Sequence, residues 1–142
     1  HVGLGTFLPL KTENLDNHVM HSEWCSLPKS VLSRIQMQKK SGSPIWALGT
    51  TVARTLESYA HGLLKESSED FSGSTQLFIR DDFQFQIVDR LLTNFHQPET
   101  TLLALVASFA GLENVKKTYS YAIQNQFRLF SYGDLTVWVP NR

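Results

Sequence analysis

Segments with the spacing of buried strands alternate with segments that have the spacing of helices along this 142-residue chain. Pro44–Leu48 is a short apolar run between a Ser-Gly-Ser stretch and Gly49, which is typical of a buried strand. From Thr50 onward, apolar side chains recur at intervals of three and four residues, the spacing of an amphipathic helix. Because such strands and helices pack as a sheet with helices on its faces, the pattern predicts an α/β fold.

The rest of the chain continues this alternation. Apolar or period-two runs predict strands at residues 2–10, 18–24, 44–48, 75–79, 84–94 and 135–139. Apolar positions at helical spacing predict helices that begin near Pro28, Thr50, Pro98 and Gly111, and the third is apolar nearly all round, which predicts burial. The polar stretch at 66–74 is rich in turn-forming residues and predicts a loop.

Composition restricts the function classes. Lys plus Arg and Asp plus Glu number 13 each, so the formal net charge is zero. This balance excludes a polycationic nucleic-acid binder, although a local basic patch could still hold a nucleic acid. With 42% hydrophobic and 11% aromatic residues in a chain of single-domain length, we expect a packed core and no extensive disorder.

The single cysteine, Cys25, excludes an intramolecular disulfide and suits the reducing cytoplasm, where we expect the protein to act. The sequence has no run of 18 apolar residues, so we expect no membrane span. The chain opens on His1–Phe7 in a strand-like register without a starting methionine, which indicates a fragment of a longer protein.

Gly49-Thr50-Thr51 lies where a buried strand gives way to a helix. The first N–H groups of a helix and the positive end of its dipole favour an anion, and glycine permits a close approach. Since Arg54 follows one turn later, one interpretation is a cradle for a phosphate or a carboxylate. The alternative is that Thr50 only caps the helix, while Arg54 pairs with Glu57 or points into solvent.

His18, His21 and Glu23 have the residue types of a metal site. In a strand, however, positions 21 and 23 share a face that position 18 does not, and no second cluster of ligands supports a metal. We therefore expect no metal. A carboxylate beside an imidazole can orient it and tune its pKa, so His21 with Glu23 is a candidate for proton transfer, and salt-linked surface residues are the open alternative.

Three further motifs bring glycine or polar residues to predicted strand ends. Gly3-x-Gly5-Thr6 lacks the third glycine and the helix of a dinucleotide-binding fingerprint, so it indicates a bulge or a backbone held close to a ligand. Thr93–Pro98 lies where ligands collect in open α/β sheets, and its His96 is a candidate proton donor or acceptor, or a histidine bonded to backbone. Phe130–Asp134 combines an aromatic, a glycine and an acid, which also fits an ordinary turn.

Taken together and in this order, the motifs resemble the S-adenosylmethionine:tRNA ribosyltransferase-isomerase family of queuosine biosynthesis. The resemblance covers essentially the whole chain and rests on the segments His1–Phe7, Met20–Glu23, Gly49–Glu57, Val88–Pro98, Phe109–Gly111 and Phe130–Asp134. Since family members are longer, residues 1–142 resemble the C-terminal segment of a large α/β domain that a smaller β-barrel domain interrupts.

The resemblance implies an enzyme that transfers and isomerises the ribosyl group of S-adenosylmethionine. The acceptor is the amine of 7-aminomethyl-7-deazaguanine at the tRNA wobble position, and the product is epoxyqueuosine, with adenine and methionine released. A proton is taken from the carbon beside the sulfonium, adenine leaves and the amine attacks. The family needs no metal, so the expected partners are S-adenosylmethionine and tRNA, and we expect a monomer.

Site roles follow from the same resemblance together with the local patterns. The proton-handling candidates are His21, Glu23 and His96. The candidates for binding the cofactor or substrate are His1, Gly3, Gly5, Thr6, Gly49, Thr50, Thr51, Arg54, Asn94, Phe95, Tyr132, Gly133 and Asp134.

Two positions depart from the family pattern. Asp81-Asp82 stands where Pro-Gly is expected, so that turn must form without its glycine, and Thr100 replaces a serine but keeps the hydroxyl. Two alternatives to the enzyme remain open: a non-catalytic tRNA- or nucleotide-binding fragment, and a metal-dependent hydrolase built on His18, His21 and Glu23.

Overall fold

A computed structural model describes residues 20–140, which form four helices and six strands. The helices are α1 (Lys29–Lys40), α2 (Thr50–Ala60), α3 (Thr101–Ala110) and α4 (Leu112–Gln124). The strands are β1 (Glu23–Pro28), β2 (Trp46–Leu48), β3 (Lys65–Glu66), β4 (Asp70–Thr75), β5 (Arg90–Asn94) and β6 (Leu135–Trp138).

The strands form two three-stranded sheets. One is antiparallel with the order β1-β4-β3, and the other has the order β2-β5-β6. In the second sheet β2 and β5 are parallel, while β6 runs antiparallel on the other side of β5. The α/β class is therefore confirmed, although the strands of residues 20–140 divide between two small sheets instead of one.

The core lies where helices α2 and α3 cover the β2-β5-β6 sheet. Ala47 of β2 and Leu91 of β5 are paired neighbours, and both are fully buried. Leu56 of α2 and Leu105 of α3 belong to the same buried cluster. Burying this apolar surface holds the two helices on the sheet, and the carboxyl ends of β2 and β5 consequently have a fixed position.

Residues 66–74, predicted as a loop, instead contribute to the β3–β4 hairpin. The Ser67 hydroxyl accepts the N–H groups of Glu69 (3.3 Å) and Asp70 (3.1 Å) and donates to the Asp70 carboxylate (2.6 Å), which closes the turn. All six residues of β4 pair with β1. Because β4 is mostly polar, its sequence lacks the apolar alternation that would have indicated a strand.

Residues 84–89, predicted as the start of a long strand, form none, and β5 begins only at Arg90. The carboxylate of Glu57 accepts the backbone N–H groups of Gln86 (2.8 Å), Ile87 (3.0 Å) and Val88 (2.9 Å). A side chain from α2 thus takes the place of a neighbouring strand. The strand predicted at 75–79 is likewise absent from the described structure beyond Thr75, the last residue of β4.

The other predicted elements agree with the structure. Helices α1 to α4 and strands β2 and β6 lie in the segments expected for them. The strand predicted at 18–24 overlaps β1 only at Glu23 and Trp24, because residues 20–22 are not part of a strand and β1 continues to Pro28. The strand predicted at 2–10 lies outside the described residues. Within residues 20–140, none of the helices has the length and apolar character that crossing a membrane requires.

Candidate active-site cleft

A cleft of about 320 Å³ lies at one edge of the β2-β5-β6 sheet. Since β2 and β5 are parallel, their carboxyl ends meet at this edge, and the antiparallel β6 begins there. Gly49 follows β2 directly, and its N–H donates to the carbonyl of Leu92 in β5 (2.8 Å). The geometry agrees with the rule that ligands of open α/β sheets bind beyond the carboxyl ends of the strands.

Three separate stretches of the chain line the cleft: the start of α2, the segment that follows β5 with part of α3, and the loop before β6. The lining residues are Gly49, Thr50, Thr51, Thr93, Asn94, Phe95, His96, Gln97, Leu102, Phe130 and Ser131. Six of the residues predicted for the site are therefore together in one place: Gly49, Thr50, Thr51, Asn94, Phe95 and His96.

The amino end of α2 opens into this cleft. Gly49 is the N-cap residue with φ 94°, a backbone conformation that side chains other than glycine rarely adopt, and no side chain caps the helix. The interpretation that Thr50 caps the helix is wrong, because Thr50 is already its first helical residue and is buried. The first N–H groups of α2 and the positive end of its dipole are therefore available to an anion.

Three hydrogen bonds to Thr93 and Tyr119 fix the position of His96. Its Nε2 lies 3.0 Å from the Thr93 hydroxyl, its backbone N–H donates to the Tyr119 hydroxyl (2.7 Å), and that hydroxyl donates to the His96 carbonyl (3.1 Å). Burial lowers the pKa of His96 from 6.5 to about 4, because the interior disfavours the charged ring. At neutral pH the imidazole is uncharged, so one ring nitrogen accepts and the other donates a hydrogen bond.

Thr93 ties this histidine to the sheet. Its carbonyl accepts the hydroxyl of Thr136 in β6 (2.8 Å), and both threonines are buried. Phe95 precedes His96 and is buried. Its ring packs edge-on against Tyr119, with ring centroids 5.1 Å apart. The strand end and the start of the following loop thus have little freedom, and the position of the imidazole is set by packing.

Glu23 and Arg54 form a buried ion pair beside the cleft. Arg54 Nη1 lies 2.6 Å from Glu23 Oε2, and the two side chains are only 7% and 11% exposed. Arg54 Nε and Nη2 are buried without a hydrogen-bond partner. Glu23 and Arg54 do not line the cleft itself; they line a separate space of about 10 Å³, and Thr51 lines both spaces.

The pairing of Arg54 with Glu57 and its exposure to solvent, the two alternatives considered from the sequence, are both wrong. Arg54 is buried against β1, while the Glu57 carboxylate points to the other side and accepts backbone N–H groups of residues 86–88. His21, two residues before Glu23, is exposed.

Only the first two residues of the Phe130–Asp134 turn line the cleft. Phe130 and Ser131 line the cleft, although neither was among the predicted site residues, whereas the Tyr132 side chain is 97% exposed and lies outside the cleft lining. Asp134 accepts the N–H of Arg128 (2.8 Å), and a Cβ on Gly133 would lie 2.1 Å from the Arg128 carbonyl oxygen. Gly133 and Asp134 therefore shape the turn.

Thr93, Gln97 and Leu102 are the other lining residues that the sequence did not single out. The sequence signal was the strand-end position of Thr93–Pro98, but the partner of each side chain depends on the path of α3. The predicted residues His1, Gly3, Gly5 and Thr6, and also His18, lie outside the described residues. Among residues 20–140, no group of three or more His, Cys, Asp or Glu side chains is placed to hold a metal ion.

The β2-β5-β6 sheet, its covering helices and the cleft at the strand ends define an α/β protein with a polar cleft at the carboxyl ends of its parallel strands. The chain belongs to the queuosine biosynthesis protein family, whose pattern it matches over residues 1–137.

Relatives of this family are similar over nearly the whole chain. The S-adenosylmethionine:tRNA ribosyltransferase-isomerase of Polynucleobacter asymbioticus is 52% identical over 134 residues, which are 94% of this chain and 37% of that protein. The enzyme of the same name from Dichelobacter nodosus is 48% identical over 142 residues, 100% of this chain and 39% of its own. The chain thus spans about two fifths of the length of these relatives.

A solved structure shows the same fold. The crystal structure of S-adenosylmethionine tRNA ribosyltransferase from Thermotoga maritima superposes with a TM-score of 0.73 at 39% identity, covering 80% of this chain and 40% of that one.

Proposed function

We propose that this chain supplies part of the active site of an enzyme that transfers and isomerises the ribosyl group of S-adenosylmethionine. The acceptor is 7-aminomethyl-7-deazaguanine at the tRNA wobble position, and epoxyqueuosine, adenine and methionine are the products. The observation that carries the proposal is the cleft that joins the open amino end of α2 to the half-buried, uncharged His96. The family and the names of the relatives support the same reaction.

His96 is assigned to proton handling. The reaction removes a proton from the carbon beside the sulfonium, and adenine takes up a proton as it leaves. A neutral imidazole can take part in either transfer, and partial burial, which lowers the pKa of His96 to about 4, keeps it uncharged at neutral pH. Since Nε2 is occupied by the Thr93 hydroxyl, Nδ1 is the nitrogen assigned to the substrate.

The amino end of α2 is assigned to the methionine carboxylate of S-adenosylmethionine. A carboxylate there would accept the N–H groups of the first turn, next to Thr50 and Thr51, and the dipole would add to this attraction. Arg54 contributes positive charge and two buried nitrogens that have no partner. Because the Glu23 carboxylate is bound to Arg54, Glu23 is assigned to orienting that guanidinium.

The other predicted residues have supporting roles in this proposal. Asn94 lines the cleft and is assigned to hydrogen bonds with ribose or adenine, while Phe95, Gly133 and Asp134 hold the cleft walls in place. The exposed Tyr132 ring is assigned to stacking on a base of tRNA, and the exposed His21 is the second proton-handling candidate.

The proposal extends to the context of the chain. We propose that it is the C-terminal segment of the larger α/β domain, as its resemblance to the family implies, and the 37–39% of these relatives that it spans agrees with a segment of a longer protein. A monomer acting in the cytoplasm is proposed as well, in keeping with Cys25, a free cysteine that is buried.

The test is a chimera in which this chain replaces the matched 37% of the Polynucleobacter asymbioticus enzyme. Adenine release from S-adenosylmethionine is measured with tRNA carrying 7-aminomethyl-7-deazaguanine. We expect turnover by the parent chimera and a loss of about 100-fold or more in kcat for His96→Gln, the range of a removed proton-transfer group.

His61→Gln is the matched control, since His61 is another partly exposed histidine that does not line the cleft. Unchanged kcat for His96→Gln would exclude His96 from the chemistry. Binding of both substrates without adenine release by the parent chimera would instead favour the non-catalytic binding fragment.

A further inference from the structure

The two ring nitrogens of His96 have different surroundings. Nε2 lies 3.0 Å from the Thr93 hydroxyl. Nδ1 forms no hydrogen bond with any group of residues 20–140. The residue lines the cleft and is half-buried, so Nδ1 is the ring nitrogen left for a ligand. Because a neutral imidazole carries only one ring N–H, the hydrogen bond at Nε2 decides what Nδ1 offers to that ligand.

The Thr93 hydroxyl is the better donor of the two partners. A threonine hydroxyl has one hydrogen to donate, and Thr93 is only 5% exposed. Among the described residues, Nε2 is the one group with which this hydroxyl forms a hydrogen bond. If Nε2 carried the hydrogen, the Thr93 O–H would have no protein acceptor, which is unfavourable in the interior. With Thr93 as the donor, both groups are satisfied and the ring hydrogen is on Nδ1.

Both partners of this hydrogen bond are held in place by the fold. The Thr93 carbonyl accepts the Thr136 hydroxyl (2.8 Å), and the two threonines are paired neighbours in β5 and β6. The Tyr119 hydroxyl accepts the His96 N–H (2.7 Å) and donates to the His96 carbonyl (3.1 Å). Burial raises the pKa of Tyr119, so its hydroxyl keeps the hydrogen that it donates. The geometry between Thr93 and Nε2 therefore exists before a ligand binds.

The uncharged state of His96 agrees with this direction of the hydrogen bond. A protonated imidazole donates from both nitrogens, so Thr93 would then have to accept from Nε2. Partial burial lowers the pKa of His96 to about 4, which keeps the ring neutral at neutral pH and leaves Nε2 able to accept. A histidine kept neutral in this way can donate a hydrogen bond to negative charge that develops on a substrate.

We propose that Thr93 is a positioning residue: its hydroxyl donates to Nε2 and holds His96 in the tautomer that has its hydrogen on Nδ1. His96 then presents an N–H to the cleft and lacks the free lone pair that a base needs. The identity of the acceptor rests on the proposed function. As the bond from ribose to adenine breaks, its electron pair moves onto adenine, and the Nδ1 hydrogen bond stabilises that charge without forming an imidazolate. Removal of the proton beside the sulfonium is left to another group, for which His21 is the candidate.

The tautomer is measured in the 142-residue chain labelled with ¹⁵N in its histidine rings. At about pH 7.5, where a neutral ring predominates, two-bond ¹H–¹⁵N correlation spectra distinguish a ring nitrogen that carries hydrogen from one that accepts a hydrogen bond. The His96 signals are identified by their absence in His96→Gln. We expect hydrogen on Nδ1 and an acceptor at Nε2. Hydrogen on Nε2 would overturn the proposal.

Thr93→Val keeps the shape of the side chain and removes its hydroxyl, whereas Thr93→Ser keeps the hydroxyl. We expect Thr93→Val to lose the preference for hydrogen on Nδ1. It should also lower kcat for adenine release by the chimera about five- to tenfold with little change in KM, since one hydrogen bond is removed. Thr93→Ser should retain the tautomer and most of kcat. Thr101→Val is the matched control that should change neither, because Thr101 is also buried but its hydroxyl has no partner among the described residues.

Hydrogen that stays on Nδ1 in Thr93→Val would show that Thr93 does not select the tautomer. A changed tautomer with unchanged kcat would show that the selection has no part in turnover, and each of these results overturns the proposal. Failure of the proposed function is a separate result: the parent chimera would release no adenine, while the spectra of this chain would still show hydrogen on Nδ1 and its redistribution in Thr93→Val.

Discussion

Two carboxylates, those of Glu57 and Glu23, lie in the interior next to helix α2. Different hydrogen-bond donors replace the water that each of these charges loses on burial. Glu57 belongs to the helix and accepts three backbone N–H groups from residues 86–88. Glu23 belongs to β1 and is bound by the guanidinium of Arg54, one turn earlier on the same helix. Both solutions provide the hydrogen bonds without which a buried charge would be very costly.

Because the two carboxylates have different kinds of hydrogen-bond donor, they can have different roles. The donors around Glu57 are backbone groups, so that side chain fixes the path of a segment that has no strand partner. The donor for Glu23 is a side chain that still has two buried nitrogens without a partner. The hydrogen bonding of the first carboxylate is complete, whereas the guanidinium that binds the second has two nitrogens left without a partner. The hydrogen bonds of Glu57 give it a structural role, whereas a ligand-related role for the Glu23–Arg54 pair remains part of the proposed function.

The largest effect is expected for Glu57→Gln. The amide group of glutamine would face backbone donors with a donor of its own, and hydrogen bonds to a charged acceptor would be lost. We expect the free energy of unfolding to fall by about 4 kcal/mol, measured by urea denaturation of the 142-residue chain. The surface variant Glu69→Gln should change it by less than about 0.5 kcal/mol. A loss for Glu57→Gln as small as that control would show that the three hydrogen bonds are not needed.

A smaller loss is expected for Arg54→Met, which leaves the Glu23 carboxylate buried without its guanidinium. We expect a decrease of roughly 2–3 kcal/mol in the free energy of unfolding. The double variant Arg54→Met/Glu23→Leu should recover most of this loss, because it removes both charges and the two unpaired nitrogens. A double variant that is less stable than Arg54→Met would show that the Glu23–Arg54 pair stabilises the fold despite its two unpaired nitrogens. The pair would then have a structural role, as Glu57 has.

The same comparison explains how far the sequence could predict the structure. Helices α1 to α4 and strands β2 and β6 follow from local apolar spacing, which needs no knowledge of distant residues, although Trp46 and Leu48 of β2 are exposed where a buried strand was predicted. The β3–β4 hairpin is polar and depends on the pairing of β4 with β1. The paired positions run from Pro28↔Asp70 to Glu23↔Thr75 and are 42 to 52 residues apart, a separation that no local window contains. Residues 84–89 have a strand-like sequence, but the N–H groups of residues 86–88 donate to the side chain of Glu57, 29 to 31 positions earlier.

The candidate site shows the same division. The meeting of Gly49-Thr50-Thr51 with Asn94-Phe95-His96 was predictable, since parallel strands bring their carboxyl ends to one edge. The partner of Arg54 was not, because Glu23 lies 31 residues away on a strand of the other sheet. Nor does sequence spacing tell which side of the Phe130–Asp134 turn faces the cleft, so Tyr132 was predicted there and Ser131 was missed.

His96 adds a third way to bury a titratable group, which is to keep it uncharged, and its expected effect is the smallest of the three. The pKa of His96 is lowered from 6.5 to about 4. As the pH falls below 6.5, the imidazole therefore becomes protonated in the unfolded chain but stays uncharged in the folded chain until about pH 4. Stability therefore falls with pH across this window. Allowing for its partial exposure, His96 should contribute roughly 1–2 kcal/mol of the loss between about pH 7.5 and pH 5.

Urea denaturation of the wild-type chain and of His96→Gln at both pH values isolates this contribution, since every carboxylate that also titrates is common to the two proteins. The variant should lose less stability than the wild type on acidification. Equal losses would mean that His96 is protonated as readily in the folded chain as in the unfolded one. In that case the imidazole would be charged in mildly acidic solution, like the paired groups at Glu23 and Arg54, and the assignment of a neutral proton-handling residue to the cleft would fail.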